Sequence, residues 1–177
     1  YPPQPDGVYA FTQLKKSWPT ETDRQRYRRT LYTYFYRSAP YPLFTTFDSP
    51  DFQSVCTRRI RSNTPLQALT LANDASFLEM AQGLALRVLQ QHPDPGQLEP
   101  RIATAFHICF GREPSAEDAQ ILLDFVRQTA DEFGSHVPAA EALTTPLLRE
   151  AASPVDAAAL VLLGRTPFNT DQFITRE

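Results

Sequence analysis

Residues 27–86 read YRRTLYTYFYRSAPYPLFTTFDSPDFQSVCTRRIRSNTPLQALTLANDASFLEMAQGLAL, and they contain the signals that decide the fold. An arginine and tyrosine run comes first, a proline-punctuated segment follows, and a strong helix start comes next. That start is Asn63-Thr64-Pro65, because a polar side chain caps a helix and proline is tolerated in the first turn. The stretch therefore predicts a helical fold in which arginine-rich loops meet the beginnings of helices.

Downstream of this start, apolar residues recur at the three- and four-residue spacing of helices that bury one face. Asn73-Asp74 predicts a break or a second cap, and Ser115 to Asp118 resembles a capping box. Glycines at positions 111, 134 and 164 are expected to end helices. The predicted helices are Ala75 to about Gln91, residues 99–110, Ser115 to about Phe133, a weaker helix over residues 139–150, and Ala157 to Leu163.

Core positions follow from the same spacing. On the helix that starts at Pro65, we expect Leu66 and Leu69 to face the core, with Leu71 as a further candidate. On the helix after Ser115, the apolar residues are Ile121, Leu122, Phe125 and Val126. These apolar stripes predict core packing rather than a cofactor site.

Upstream, the pattern predicts one helix from Thr20 or Thr22 to about Arg37. Four apolar residues share one face of that helix, at i, i+4, i+7 and i+8: Tyr27, Leu31, Tyr34 and Phe35. Prolines at positions 40, 42 and 50 exclude a long helix in residues 39–51. Residues 1–20 form a proline-rich extended segment, in which Val8 to Leu14 predict one strand or a packed loop.

The fold class that these signals predict is mainly α. We expect an irregular helical domain of about six to eight helices, with long ordered proline-rich loops and at most a minor strand pair. The chain of 177 residues suits one domain, composed of an extended leading segment (1–20), a motif-bearing core (21–91) and a helical C-terminal half (97–177). Because the sequence opens on Tyr1 rather than Met, we expect it to be a fragment of a larger protein.

Positive and negative charges are unevenly distributed. Residues 1–62 contain ten Lys and Arg against five Asp and Glu, a net charge of +5, and residues 63–177 contain seven against fifteen, a net charge of −8. All the basic residues except Lys15 and Lys16 are arginines, which suit bidentate pairing with carboxylates, sulfates or phosphates. A basic half of this kind predicts an anionic partner or an intramolecular charge network.

Several classes of function are disfavoured. Nucleic-acid binding does not fit a pI of about 5.6 without a recognition motif. No apolar run reaches the length of a membrane span. Cys56, Cys109 and the three histidines form no metal-ligand or haem-attachment motif, so we expect no metal and no cofactor in this chain. A Cys56–Cys109 disulfide is possible if the protein is exported.

Polar and charged candidates lie at the loop and helix boundaries. They are Arg28, Arg29, Tyr32, Asp48, Asp51, Arg58, Arg59, Arg61, Asn63, Asn73 and Asp74. The arginines could hold a sulfated or carboxylated glycan while tyrosines stack on sugar rings. Asp48, with Asp51 or Asp74, could instead supply a general acid and base if burial separates their pKa values. A buried Arg–Asp–Asn network that pins the loops to the helices is the third interpretation.

Four groups of these residues resemble a known family. They are Arg28-Arg29-Thr30-Leu31-Tyr32-Thr33-Tyr34, Thr46-Phe47-Asp48-Ser49-Pro50-Asp51, Cys56-Thr57-Arg58-Arg59, and Asn63-Thr64-Pro65-Leu66-Gln67-Ala68-Leu69 with Asn73-Asp74. They are similar to the domain of unknown function that closes large planctomycete-type proteins carrying a cytochrome-c-like domain. Residues 1–7 and 110–114 are similar too, and the resemblance covers most of the chain.

The resemblance implies an exported bacterial protein, periplasmic or on the cell surface, often encoded beside sulfatases and other polysaccharide-degrading enzymes. It implies no established reaction, and it places haem in a separate upstream domain. We therefore expect a non-haem C-terminal module that docks on its upstream domains, or holds an anionic glycan through its Arg/Tyr-rich centre. The alternative is a polysaccharide-active enzyme domain in which Asp48 or Asp74 acts as acid or base.

Overall fold

The structure is a computed structural model that describes residues 1–12, 14–51, 53–58 and 62–174. The chain divides into two compact units, residues 1–67 (unit 1) and residues 68–177 (unit 2). Across the described residues it contains nine α-helices, two short 3₁₀ helices and no strand. The prediction of a mainly α fold is confirmed, with more helices than the six to eight expected.

Most of the helices belong to unit 2. The α-helices are α1 (Pro42–Thr46), α2 (Pro65–Asn73), α3 (Ala75–Gln91), α4 (Leu98–Phe110), α5 (Ala116–Gly134), α6 (Val137–Leu143), α7 (Pro146–Ala151), α8 (Pro154–Phe168) and α9 (Asp171–Ile174). None of the helices in the described ranges combines the length and the apolarity needed to cross a bilayer.

The core of unit 2 is built around α8. This helix packs against α3, α4, α5, α6, α7 and α9. Nine of its residues are buried, including the uninterrupted run from Ala157 to Val161. A helix that is apolar on all sides must be surrounded by other elements, and the helices of unit 2 supply that surround.

Small side chains let α3 and α8 approach closely. A Cβ atom at Gly164 would stand 3.3 Å from the carbonyl oxygen of Ala81 and 3.4 Å from the Cα atom of that residue. Gly164 is therefore a packing residue in the interior of α8, and the prediction that it ends the helix is wrong. The helix continues through Pro167 to Phe168, and the absence of a side chain at position 164 gives α3 room to approach closely.

Other helix ends in unit 2 follow the sequence signals. The Ser115 hydroxyl and the Asp118 carboxylate form a reciprocal capping box at the start of α5. Gly111 ends α4 with a φ of 71°, a left-handed conformation that favours glycine. The weaker helix predicted over residues 139–150 is two helices, because Thr145 caps a new helix and Pro146 begins it.

Two of the inward positions predicted on α2 are wrong, and the further candidate is confirmed. Leu66 and Leu69 are 58% and 60% exposed, whereas Leu71 is buried. Gln67 occupies the other buried position of α2, and on α5 Ile121 is exposed while Val126 is buried. A periodicity of three to four residues fits neighbouring stripes of a short helix equally well, so the buried stripe of α2 was misplaced by about one residue.

Unit 1 is held together by aromatic rings rather than by helices. Trp18 stacks on Tyr41 with ring centroids 5.5 Å apart and an interplanar angle of 6°, and Tyr1 stacks on Tyr34 at 4.9 Å. The Trp18 indole donates a 2.7 Å hydrogen bond to the Pro2 carbonyl, and the Tyr41 hydroxyl donates one of the same length to the Pro3 carbonyl. These contacts tie the proline-rich leading segment to the tyrosine run.

The helix predicted from Thr20 or Thr22 to Arg37 is absent. Two 3₁₀ helices, Arg24–Tyr27 and Thr30–Tyr32, replace it, and the backbone is extended at Arg28. Two causes act together. Aromatic and β-branched residues, which have modest helix propensity, fill six of the seven positions 30–36. The tyrosine rings also gain more from the aromatic cluster than from a helix face, because Tyr34 and Tyr36 contact residues of the leading segment.

Of the two alternatives predicted for Val8 to Leu14, a strand or a packed loop, the strand is absent among the described residues. Residues 6–11 form turns, and Phe11 and Leu14 are 101% and 76% exposed. The turn begins at Gly7, whose φ is 82°. Tyr9 is the residue of this segment that reaches the aromatic cluster, where it contacts Trp18 and Tyr36.

Candidate functional site

Asp48 is the centre of a hydrogen-bonded network in unit 1. Its Oδ2 atom accepts a 2.8 Å hydrogen bond from the Ser62 main-chain amide, and the Ser62 hydroxyl lies 2.9 Å and 2.8 Å from the two carboxylate oxygens. Asp48 directly follows the turn after α1 and has a φ of 56°, the only positive φ of a non-glycine residue in the described chain. Aspartate tolerates this left-handed conformation better than most residues do, because its short side chain bonds locally.

The Gln67 side chain completes this network from the first turn of α2. It is 1% exposed, and its Nε2 atom donates to the Thr46 carbonyl at 2.9 Å, to Ser62 Oγ at 3.1 Å and to Asp48 Oδ2 at 3.3 Å. Its Oε1 atom accepts from the Thr64 amide, while Thr64 Oγ1 accepts from the Gln67 amide. This reciprocal pair is a capping box. The network therefore joins the loop after α1 to the start of α2.

Asp51 has a different, local role. Its Oδ1 atom accepts hydrogen bonds from the main-chain amides of Gln53 and Ser54 at 3.0 Å and 3.2 Å and from the Ser54 hydroxyl. These donors favour the charged carboxylate and lower the pKa of Asp51 below its ordinary value. The side chain is fully exposed, so the arrangement is that of an Asx turn on the surface.

Asn73 and Asp74, both in unit 2, hold the junction of two helices. The Asn73 amide donates a 2.8 Å hydrogen bond to the Leu69 carbonyl near the end of α2. Asp74 is the N-cap of α3, and its Oδ1 atom accepts from the Ser76 amide at 2.8 Å. The sequence prediction of a second cap at this point is confirmed. Both side chains form hydrogen bonds with main-chain groups, as side chains at helix ends commonly do.

Described arginines of the candidate set lie on the surface. Arg28, Arg29 and Arg58 are exposed, and within the described ranges none of them has a carboxylate at salt-bridge distance. Arg28 instead lies over the ring of Tyr32, with its guanidinium carbon 5.4 Å from the ring centroid. Among the described residues, Asp48 accepts its hydrogen bonds from hydroxyl and amide groups, and the Arg–Asp–Asn network stays a prediction. Arg59 and Arg61 lie outside the described residues.

The arginine-rich segment, residues 24–37, is the most unusual surface of unit 1. It contains five arginines and no carboxylate. Its exposed apolar side chains are Tyr27 (50%), Leu31 (83%), Tyr32 (58%) and Tyr34 (46%). Arginine and aromatic side chains therefore alternate on one exposed stretch of backbone, and Arg26 lies over the Tyr27 ring at 5.5 Å.

The predicted tyrosine platform is divided between two roles. The Tyr36 hydroxyl donates to the Ser17 carbonyl at 2.9 Å and Tyr41 is 4% exposed, so these rings belong to the aromatic core of unit 1. Tyr27 and Tyr32 remain at the surface and can meet a ligand.

Sequence reasoning missed three residues of unit 1 that hold its architecture: Trp18, Ser62 and Gln67. Two of them had a readable signal. Thr64-Pro65-Leu66-Gln67 matches the capping-box pattern of threonine followed three residues later by glutamine. Trp18 is the one tryptophan of the chain, and a residue of that size is usually well buried.

Cysteine and histidine side chains add no further site. Cys56 and Cys109 are free thiols. Within the described ranges no group of three or more His, Cys, Asp or Glu residues could hold a metal ion. Asn63, the remaining residue of the candidate set, has an exposed side chain and directly precedes Thr64 in the chain.

Comparison with known proteins gives a family and no activity. No curated protein and no solved structure matches the chain. The family model described as PSD1, protein of unknown function (DUF1553), matches residues 1–126, which include the Asp48 network, the arginine-rich segment and the caps of α2 and α3. Since the match covers well over half of its residues, the chain belongs to the PSD1 (DUF1553) family of proteins of unknown function.

Proposed function

We propose that unit 1 binds an anionic glycan through the arginine-rich segment. The observation that carries the proposal is the segment's composition at the surface: five arginines without a carboxylate in residues 24–37. Arg24, Arg28, Arg29 and Arg37 are exposed, and none has an ion-pair partner among the described residues. Exposed cations without carboxylate neighbours attract anions most strongly where several of them lie close together.

The side-chain chemistry fits sulfate or carboxylate groups on a sugar. A guanidinium presents two parallel N–H groups to such an anion, which a lysine ammonium cannot do. The rings of Tyr27 and Tyr32 are about half exposed and can pack against the apolar face of a sugar. The contact of Arg28 with the Tyr32 ring keeps a cation and an aromatic face adjacent, which suits a charged saccharide.

The bonding of the carboxylates favours binding over catalysis. Asp48, Asp51 and Asp74 each accept main-chain hydrogen bonds that shape a loop or cap a helix. A general acid or base needs a carboxyl group that faces the substrate with its proton free to move. The alternative of acid/base catalysis by Asp48 or Asp74 stays a prediction that these contacts do not favour.

The biological setting that we propose follows from the family resemblance. We propose an exported location, periplasmic or at the cell surface, in a larger planctomycete-type protein with an upstream cytochrome-c-like domain. In that setting this chain is the non-haem module, and anionic polysaccharides outside the cell are accessible to the arginine-rich segment.

A second candidate is docking on another part of the same protein. Leu31 favours it, because an aliphatic side chain that is 83% exposed in the middle of the segment has little use in sugar binding. Arginine and tyrosine are also enriched at the centres of protein interfaces.

Titration calorimetry with sulfated oligosaccharides tests the proposal. We expect binding that weakens as salt rises, and loss of about fivefold in affinity for Arg28→Gln or Arg29→Gln, each of which removes one charge-assisted contact. Arg87→Gln on the exposed side of α3 is the matched control and is expected to bind normally. Arg28→Lys keeps the charge and tests the planar fork.

Three results would separate the alternatives. Equal binding of a desulfated oligosaccharide would contradict an anion site. Unchanged affinity in the Arg28→Gln/Arg29→Gln double variant would place binding elsewhere. Absence of glycan binding, with a Leu31→Ser variant failing to associate with the upstream domains, would favour docking.

A further inference from the structure

A cleft in unit 2 is lined by equal numbers of positively and negatively charged residues. Its volume is about 390 Å³, at the small end of the roughly 300–1,000 Å³ typical of ligand pockets. Val126 and Leu160 contribute to an apolar floor, while Arg101, Arg127, Asp131 and Asp156 supply two positive and two negative groups. The cleft is formed by α4, α5 and the first turns of α8.

Arg101 is the unusual member of this lining. It is 4% exposed, and its Nε and Nη2 atoms donate to the carbonyl oxygens of His92 and Pro93 at 2.9 Å and 3.3 Å. These neutral acceptors hold the guanidinium in one orientation. Within the described ranges no carboxylate lies at salt-bridge distance from it. A buried cation without a counter-ion is costly, so an anionic group entering the cleft would gain a strong charge-assisted contact.

The carboxylates lie on other walls of the same cleft. Asp156, in the first turn of α8, accepts a 2.7 Å hydrogen bond from the Ser153 hydroxyl at Oδ2. Asp131 lies one turn after Arg127 on α5, and both are exposed at the rim. An anion alone would meet two carboxylates, and a cation alone would meet two guanidinium groups. A ligand that carries both charges next to an apolar group matches all of the lining.

We propose that this cleft binds a small zwitterion with an apolar body, of the class of the apolar α-amino acids. The ligand carboxylate would pair with Arg101 and Arg127, its ammonium group with Asp131 and Asp156, and its side chain would lie on the floor at Val126 and Leu160. This site is independent of the glycan surface, because every residue that lines the cleft belongs to unit 2.

Binding of L-leucine and L-phenylalanine to the full chain tests the assignment. Two-dimensional NMR or calorimetry should show saturable binding of at least one of them. Two leucine analogues separate the charges: 4-methylpentanoate lacks the ammonium group, and 3-methylbutylamine lacks the carboxylate. We expect each analogue to bind at least about tenfold more weakly, because it leaves one pair of charges unmatched.

Substitutions at the rim of the cleft are expected to leave the fold intact. Arg127→Gln and Asp131→Asn are exposed and are expected to reduce leucine affinity about fivefold to tenfold without changing the melting temperature. Arg87→Gln on α3 is the control of matched charge. Arg101→Lys keeps the charge but loses the planar fork, and its circular dichroism spectrum shows whether the fold is retained.

Three results would overturn the proposal. The first is that neither amino acid binds at about 10 mM, which is roughly the dissociation constant of the weakest specific complexes. The second is unchanged affinity in both rim variants. The third is equal binding of 4-methylpentanoate, which would make the cleft an anion site and remove the zwitterion from the assignment.

Discussion

The main-chain amide of Ser62 donates a 2.8 Å hydrogen bond to the carboxylate of Asp48, which lies 14 residues earlier in the chain. This bond and the Ser62 hydroxyl contacts fix the distance between the end of the α1 turn and the approach to α2. Gln67 reinforces the pair from a position that solvent does not reach. The carboxylate of Asp48, a residue with a positive φ, thus ties the turn after α1 to the approach to α2.

Substitution of Asp48 should destabilise unit 1. We expect Asp48→Ala to cost about 3 kcal/mol, of which roughly 2 comes from the lost charge-assisted hydrogen bonds and about 1 from the left-handed backbone. Asp48→Gly relieves the backbone term and should cost about 2 kcal/mol. Asp48→Asn keeps one acceptor oxygen and tolerates the backbone, so a cost of about 1 kcal/mol is expected.

Fluorescence of Trp18 measures this effect, because the one tryptophan of the chain lies in the aromatic core of unit 1. Urea titration of the four proteins gives the free energies of unfolding. Asp51→Asn, in an exposed Asx turn, is the control and should change little. A glycine variant less stable than the alanine variant would contradict the backbone term.

Two glycines should respond to alanine in opposite ways. Gly164→Ala places a Cβ atom 3.3 Å from the main-chain oxygen of Ala81, which cannot move as a side-chain tip can. We expect Gly164→Ala to be destabilising despite its better helix propensity, and Gly164→Val to cost about 3 kcal/mol by overpacking. Gly83→Ala, on the exposed side of α3 with no atom near the new Cβ, should stabilise by about 0.5–1 kcal/mol.

These variants are compared by thermal unfolding, followed by circular dichroism at about 222 nm, where helices dominate the signal. A Gly164→Ala protein more stable than the wild type would show that α3 and α8 are separated more widely than described.

The two cysteines should differ in reactivity. Burial raises the pKa of the Cys109 thiol to about 11. The thiol therefore stays neutral at about pH 8, where thiols are commonly labelled. Cys56 is exposed. We expect a thiol reagent to modify Cys56 quickly and Cys109 only after unfolding, which mass spectrometry of peptides resolves. Rapid labelling of Cys109 in the folded protein would contradict its burial.

The same group makes stability depend on pH at the alkaline end. Unfolding returns Cys109 to its ordinary pKa of 9.0, so above that pH the unfolded state loses the proton and the folded state keeps it. The contribution of the neutral thiol is therefore complete below pH 9.0 and is lost as pH rises toward about 11. Cys109→Ala should flatten this part of the stability profile, and an unchanged slope would attribute it to other groups.

Unit 2 should fold without unit 1. All residues of the buried cluster that includes Ala81, Val88, Ile102, Leu123 and Leu160 belong to residues 68–177. A fragment of those residues is expected to keep its helical circular dichroism and to unfold cooperatively. A fragment that stops at Ser153 lacks α8 and serves as the negative control, since it exposes the apolar faces of α3 and α5. Loss of cooperativity in the longer fragment would contradict the prediction.

The helical half of the fold could be predicted because its signals are local. Asp74 caps α3, Ser115 and Asp118 form a capping box, and Gly111 takes a left-handed conformation, all readable from residue type and spacing. Gly164 was misread because its role depends on Ala81, which is far away in sequence and adjacent in space. A local rule treats a glycine after an apolar run as a helix end.

The site was harder to predict than the fold. Asp48 was a candidate from the sequence, but its hydrogen-bond partners Ser62 and Gln67 were not, since charge alone pointed to arginines. The tyrosine run was assigned to a helix face because residue spacing carries no information about Trp18 and the leading prolines. The Trp18 indole donates to the Pro2 carbonyl, and the Tyr41 hydroxyl donates to the Pro3 carbonyl. Long-range aromatic packing therefore overrode the local pattern.

The position of α8 in the chain has a consequence for synthesis. Among the described helices, α8, on which the other helices of unit 2 pack, is synthesised after all the other long ones, and it is complete only at Phe168. Until then the surfaces of α3, α4 and α5 that pack on α8 are uncovered, and they are exposed to chaperones and to neighbouring nascent chains. Unit 1 ends at Gln67, about a hundred residues before the end of α8, so its aromatic core can close first and synthesis orders the two folding events.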